Sequence, residues 1–223
     1  MSDYIVLIRR RPSPEVFAGL VSDLREAVQA HESSMVFLHG DGIDASRDVM
    51  SGWPEENPAV DWCVCRTSLE RRAASTALAS TFRAATLVTF YHALSSARRV
   101  DSMGLGGDYC FRPDSADRGG TASAGLLLEV GYAPADPKQR REALEMALGA
   151  AALELDASVL FHGDGLAHLA GEGARAWAQV TDFGLLGMYA EGAVRPGTEI
   201  DVQAVDAPQA ADLRAGAATI LIL

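Results

Sequence analysis

MVFLHGDGI at residues 35–43 and SVLFHGDGL at residues 158–166 present one pattern twice, a short aliphatic run closed by His-Gly-Asp-Gly. The offset of 123 residues also lays Ile5 over Leu128, and one helical pattern over another, without a gap. Two copies of one unit in a single chain are the simplest account of such a match. Around the first HGDG, Tyr4 to Ile8 reads as a buried strand. Phe17, Leu20, Val21, Leu24 and Val28 fall at helical spacing, so Glu15 to Gln29 is expected as an amphipathic helix packed on it. Strands are further expected at Met35–Leu38, Trp62–Cys65 and Arg99–Met103, with helices over 68–81 and 86–96.

The second copy repeats the order, with a strand over 124–130, a helix over 137–154 and a strand over 159–161. Closing strands at 200–205 and 219–223 enclose a short helix at 209–214. Strand and helix in this rhythm make an α/β fold. The expectation is two tandem flavodoxin- or Rossmann-like units, each a mainly parallel sheet flanked by helices. Residues 1–103 form the first and 124–223 the second, joined by a Gly/Asp-rich linker over 104–123, GLGGDYCFRPDSADRGGTAS.

A chain of 223 residues supplies each unit with enough apolar surface for a core without metals or disulfides. The net charge of −11 is uneven, −2 over residues 1–103, −1 over 104–122 and −8 over 123–223. That balance disfavours direct nucleic-acid binding, which needs a basic face. The acidic second half reads either as a solvated surface or as a complement to a basic protein. No apolar run approaches the roughly 20 residues of a membrane helix. In MSDYIVLIRRR the charges follow the apolar run, the reverse of a secretory signal, so a cytoplasmic protein with no membrane partner is expected. Three cysteines, two of them separated by one residue, make no disulfide framework, and a reducing compartment keeps them as thiols.

The chemistry concentrates in DWCVCRTSLERRA, residues 61–73. In open parallel sheets working groups collect at the carboxyl ends of strands. Cys65 ends one strand and the His39 loop ends another. Arg66, Arg71, Arg72 and a helix start near Ser68 are the neighbours that lower a thiol pKa and make it a nucleophile.

A strand ending in cysteine, followed by a helix with an arginine pair, resembles the DsrE or TusD type of small sulfur-relay protein. Here these are Cys65 with Arg71 and Arg72. The resemblance continues through His39, Gly40, Asp41 and Gly42 and through FRAATLVTFYHALSSARRVDSMG, residues 82–104. The second copy resembles the DsrF or TusC partner type in DFGLLGMY, Asp182 to Tyr189, and in the closing DAPQAADLRAGAATILIL. The resemblance implies a sulfurtransferase that carries sulfane sulfur as a persulfide on Cys65, with no metal or organic cofactor. It implies protein donors and acceptors of sulfur, self-association, and a possible DsrH- or TusB-like subunit.

Several residues keep two readings. Cys65 is a functional thiol or a buried inert one. Cys63, two residues back in the strand, reads as core. Cys110, in the linker, is a second carrier thiol or incidental. His39 and Asp41 allow acid–base chemistry, yet the same HGDG stands at His162 to Gly165 in a copy without cysteine, which favours a glycine-dependent turn. GLGG at 104–107 lacks the spacing of a dinucleotide loop, and the histidines show no zinc-ligand spacing. Trp53, Trp62 and Trp177 read as core or interface. Besides a sulfur relay, a non-catalytic assembly module and a thiol redox sensor remain open.

Overall fold

In the computed structural model the chain divides into two compact units. The structure describes residues 2–44, 52–72, 82–103, 109–111, 125–182, 186–192 and 200–223. The first unit starts with β1 (Tyr4–Ile8), buried along its whole length. Helix α1 (Pro14–Gln29) begins where the Ser13 side chain accepts from the Val16 N–H and Pro14 occupies a first-turn position that needs no acceptor. Phe17, Leu20, Val21, Leu24 and Ala27 form its buried stripe. There follow β2 (Ser34–Leu38), a 3-10 turn (Gly40–Asp44), α2 (Trp53–Glu56), β3 (Val60–Cys65), α3 (Arg66–Arg71), β4 (Arg83–Ala85), α4 (Leu87–Leu94) and β5 (Arg99–Met103).

These strands lie in the order β4-β3-β2-β1-β5 and pair in parallel. A short strand, β6 (Tyr109–Phe111), adds beyond β5 from within the stretch expected as linker. The chain winds outward from β1 to β4 and then crosses back, so the order reverses between β1 and β5. Reversal puts helices on both faces. On one, α1 packs on Tyr4, Val6, Val36, Leu38, Trp62 and Val64. On the other, Phe90 of α4 meets Phe37 at 4.9 Å between ring centroids.

The second unit repeats this plan with β7 (Leu126–Val130), α5 (Pro137–Ala152), β8 (Ala157–Phe161), a 3-10 turn (Gly163–Leu169), α6 (Glu172–Asp182), β9 (Gly187–Glu191), β10 (Gln203–Val205), α7 (Ala207–Gly216) and β11 (Thr219–Ile222). Its order is β10-β9-β8-β7-β11, again parallel. Asp136 caps α5, and Asp206 with Gln209 forms a reciprocal capping box on α7. Trp177 is buried edge-on to Phe161 at 4.9 Å, and Trp62 is buried in the first core, so both are core residues. The fold class is the expected one.

The repeat differs from its sequence reading in one respect. The His39 N–H donates to the Ile8 carbonyl, and the His162 N–H donates to the Val130 carbonyl. Ile8 therefore corresponds to Val130, an offset of 122, while Pro14 and Pro137 keep the offset of 123. One residue is inserted between strand and helix in the second copy, and Ile5 matches Leu127 rather than Leu128. Two aliphatic runs cannot be phased by composition. The hydrogen bonds phase them, and a one-residue slip exchanges the faces of a strand.

Both HGDG turns are built the same way. Gly40 and Gly163 take φ of 58° and 52°, the left-handed region that glycine enters at no steric cost. A Cβ on Gly42 would stand 2.1 Å from the Ile8 carbonyl oxygen, and one on Gly165 would stand 1.8 Å from that of Val130. The glycines let the turn close on the end of the neighbouring strand.

Candidate functional site

Side chains alternate along a strand, so residues two apart share a face. Leu7, Phe37 and Cys63 are partners in register across β1, β2 and β3. One pleat further on, at the carboxyl edge, the same face carries Arg9, His39 and Cys65. Adjacent strands are about 4.8 Å apart, so the three form one row across neighbouring strands, continued on β4 by Ala85 opposite Cys65. The ladder bonds run on past the strand ends: His39 N–H donates to Ile8 at 2.9 Å, and Arg9 N–H donates to Met103 at 3.0 Å. Arg9 and His39 are 0 % exposed and Cys65 is 1 % exposed.

The two thiols of β3 differ. Cys63 is pushed up to about 12, chiefly by burial and then by the charge of Asp61, with Arg83 acting in the opposite sense. Arg83 donates to both Asp61 oxygens at 3.1 and 2.5 Å and to the Cys63 Sγ at 3.1 Å. Cys63 is therefore a protonated thiol at neutral pH. Cys65 is free and occupies the N-cap position of α3, with Arg66 as the first helical residue.

His39 is held neutral. Burial lowers its pKa well below the usual histidine range, and the charges of Arg9, Arg72 and Arg71 add to the shift. A neutral imidazole has one donating and one accepting nitrogen, and neither finds a partner among the described residues. This does not suit the sequence reading of His39 as a standing acid toward a leaving thiolate. Asp41 is occupied by Arg72 at 2.7 Å, and Asp44 lies 3.8 Å from the same guanidinium. The Gly40 N–H donates to the Ser68 hydroxyl at 3.3 Å, which ties the turn to α3.

Of the residues singled out from sequence, Cys65, His39, Asp41, Arg71 and Arg72 gather at this edge. Arg66 is exposed at the start of α3. The side chain of Cys110 lies outside the described residues, as do residues 73–81 of the helix expected over 68–81. Arg9 was not singled out. Its signal was present in the alternation Ile5, Leu7, Arg9, which carries the arginine past the strand end onto the face that bears Cys65.

The second unit's edge is differently furnished. In the matching row, Gly131 stands for Arg9, His162 for His39 and Glu191 for Cys65. The His162 ring lies against Gly131, where a Cβ would be 2.5 Å from Cε1. Arg214 of α7 donates to Glu129 at 2.6 Å and to Glu191 at 2.9 Å. This edge neutralises its own charges. Counted from their caps, Thr86 and Asp206, α7 has Ala210 and Ala211 where α4 has Phe90 and Tyr91. Apart from this edge, a cleft of about 640 Å³ lies at the amino ends of β7 and β8, lined by Leu127, Ser158 and Tyr189 and by Leu213 of α7.

Among the described residues no group of three or more His, Cys, Asp or Glu is placed to hold a metal ion. The chain matches no protein-family model, and no curated protein matches it.

Proposed function

We propose that the first unit is a sulfur carrier of the DsrE/TusD kind, fused to a DsrF/TusC-like partner, and that Cys65 holds the sulfur. The observation that carries this reading is the row of Arg9, His39 and Cys65, a free thiol at the carboxyl end of a parallel strand next in line to His39, on which the charges of Arg9, Arg72 and Arg71 act. The Cys65 thiolate attacks the outer sulfur of a donor protein's persulfide, the donor's S–S bond breaks, and the donor thiolate leaves. An acceptor thiolate then attacks the outer sulfur of the Cys65 persulfide and expels Cys65 as thiolate. The arginines stabilise the persulfide anion. No cofactor takes part. Cys63, held protonated, is a poor resolving thiol, which weighs against the redox sensor.

The protein acts in the cytoplasm on protein donors and acceptors and self-associates. Its acidic balance speaks against direct contact with nucleic acid, and among the described residues no helix is long and apolar enough to cross a membrane. The 1 % exposure of Cys65 favours the second reading, an assembly module with an inert thiol. Reduced protein incubated with inorganic polysulfide and weighed intact decides between them. Added sulfur that vanishes in Cys65→Ser supports the carrier; an unchanged mass, with Cys65 resistant to alkylation in the folded state, supports the module.

A further inference from the structure

Arg9 is fully buried, and its Nε, Nη1 and Nη2 atoms have no hydrogen-bond partner among the described residues. A guanidinium stays charged at any working pH, so burial cannot be relieved by losing the proton, and a buried charge calls for a partner. The described residues do not supply one. Asp41 and Asp44 lie on Arg72. Burial keeps the Tyr91 phenol protonated and His39 neutral. Asp101 is held by the Tyr4 hydroxyl and Arg99.

Two further observations point the same way. Both ring nitrogens of His39 are buried and unpartnered among the described residues, in the same row. Arg9 also stands at the carboxyl edge between β1 and β5, where the strand order reverses, which is where open α/β sheets hold ligands. The second unit has Gly131 at this place, and its carboxylates are closed off by Arg214. Among the described residues, the first unit's carboxyl edge carries a buried arginine without a hydrogen-bond partner where the second unit has glycine.

We propose that Arg9 and His39 bind a compact inorganic thio-anion at the carboxyl edge of β1 and β2, and that this anion donates sulfane sulfur directly to Cys65. The choice of a sulfur-bearing anion rests on the persulfide role proposed above; the anion site rests on Arg9 and His39. In thiosulfate, the sulfonate oxygens suit the guanidinium fork and the imidazole N–H, which leaves the outer sulfur toward Cys65. The Cys65 sulfur attacks that outer sulfur, the S–S bond breaks, and sulfite departs with the bonding pair. The thiol proton leaves with it as hydrogensulfite, and Cys65 retains a persulfide anion. Charge and electrons balance without an external oxidant or reductant.

The test titrates thiosulfate, with sulfate as a probe that cannot transfer sulfur, into the full-length Cys65→Ser protein by calorimetry at constant ionic strength. Saturable thiosulfate binding is expected, weakened about tenfold or more by Arg9→Met, which removes the charge-assisted contacts while keeping side-chain length. Because this change replaces a buried charge by an apolar side chain, the melting temperature is expected not to fall. Absence of saturable binding to the folded Arg9 protein overturns the proposal, as does equal binding by Arg9→Met. Loading of wild-type Cys65 by a persulfidated sulfurtransferase, with no binding of thiosulfate, overturns the anion site and leaves the carrier reading intact. Arg9-dependent binding of thiosulfate, with no sulfur on Cys65 from either donor, supports the anion site and overturns the donor role and the carrier reading.

Discussion

Gly42→Ala probes the joint that aligns the site. The added Cβ would lie 2.1 Å from the Ile8 carbonyl oxygen, 2.7 Å from its carbon and 3.1 Å from the Arg9 nitrogen. Ordinary contact begins near 3.4 Å, so the turn must withdraw from β1 by more than an ångström, with backbone on both sides. That displacement breaks the bond from His39 N–H to Ile8, a loss of about 1 kcal/mol. Overpacking adds about 1–3 kcal/mol. The expected destabilisation of the first unit is about 2–4 kcal/mol, a fall of about 1–2 M in the urea midpoint. Trp53 and Trp62 report that unit in a Trp177→Phe background. Gly165→Ala makes the same clash at 1.8 Å in the second unit and is read through Trp177. Gly19 in α1 has open space around its Cβ position, and Gly19→Ala is expected to stabilise by about 0.5–1 kcal/mol. An unchanged midpoint for Gly42→Ala refutes the reasoning.

The Cys63 thiol, raised from 9.0 to about 12, stabilises the fold fully below pH 9. That contribution is lost as pH rises toward 12, because the unfolded thiol ionises first. Relative to Cys63→Ala, wild-type stability should therefore fall across that window; parallel curves would contradict the assignment. His39, lowered well below 6.5, contributes stability above 6.5 that is lost as pH falls, since only the unfolded imidazole takes up a proton there. Its ring resonances should show no titration near 6.5 in the folded protein, and a normal titration curve would sink this point. Asp206→Ala removes the side-chain arm of the α7 capping box, the bond from the Gln209 N–H to Asp206 Oδ1, and should lower second-unit stability by about 1 kcal/mol in a denaturant titration, while Asp206→Asn retains most of it.

The parallel α/β architecture was legible because β1 and the Met35–Leu38 part of β2 are unbroken apolar runs, because β7 departs from one only at Glu129, and because α1 and α5 begin at Ser-Pro and Asp-Pro caps. Strand β4 was not, since Arg83–Ala85 is three residues with no apolar pattern, and its place is set by pairing with β3. Helix α6 hid for a related reason: its small alanines surround a single large apolar anchor, Trp177. At the candidate site, Cys65 was singled out because a thiol before an arginine-bearing helix is suited to activation as a nucleophile. Arg9 was overlooked because an arginine after a strand ordinarily faces water. Only the packing of α4 over that face shows that it is sealed. The shared HGDG also concealed a difference, since identical turns place His39 beside Arg9 and His162 beside glycine.

The central claim is tested most directly by locating the sulfur. Reduced protein is treated with a persulfidated sulfurtransferase, digested, and the extra sulfur mapped by tandem mass spectrometry among Cys63, Cys65 and Cys110. The account predicts sulfur on Cys65 alone, discharged on addition of an acceptor thiol. Sulfur on Cys63 or Cys110 with Cys65 unmodified, or on none of the three, would contradict it.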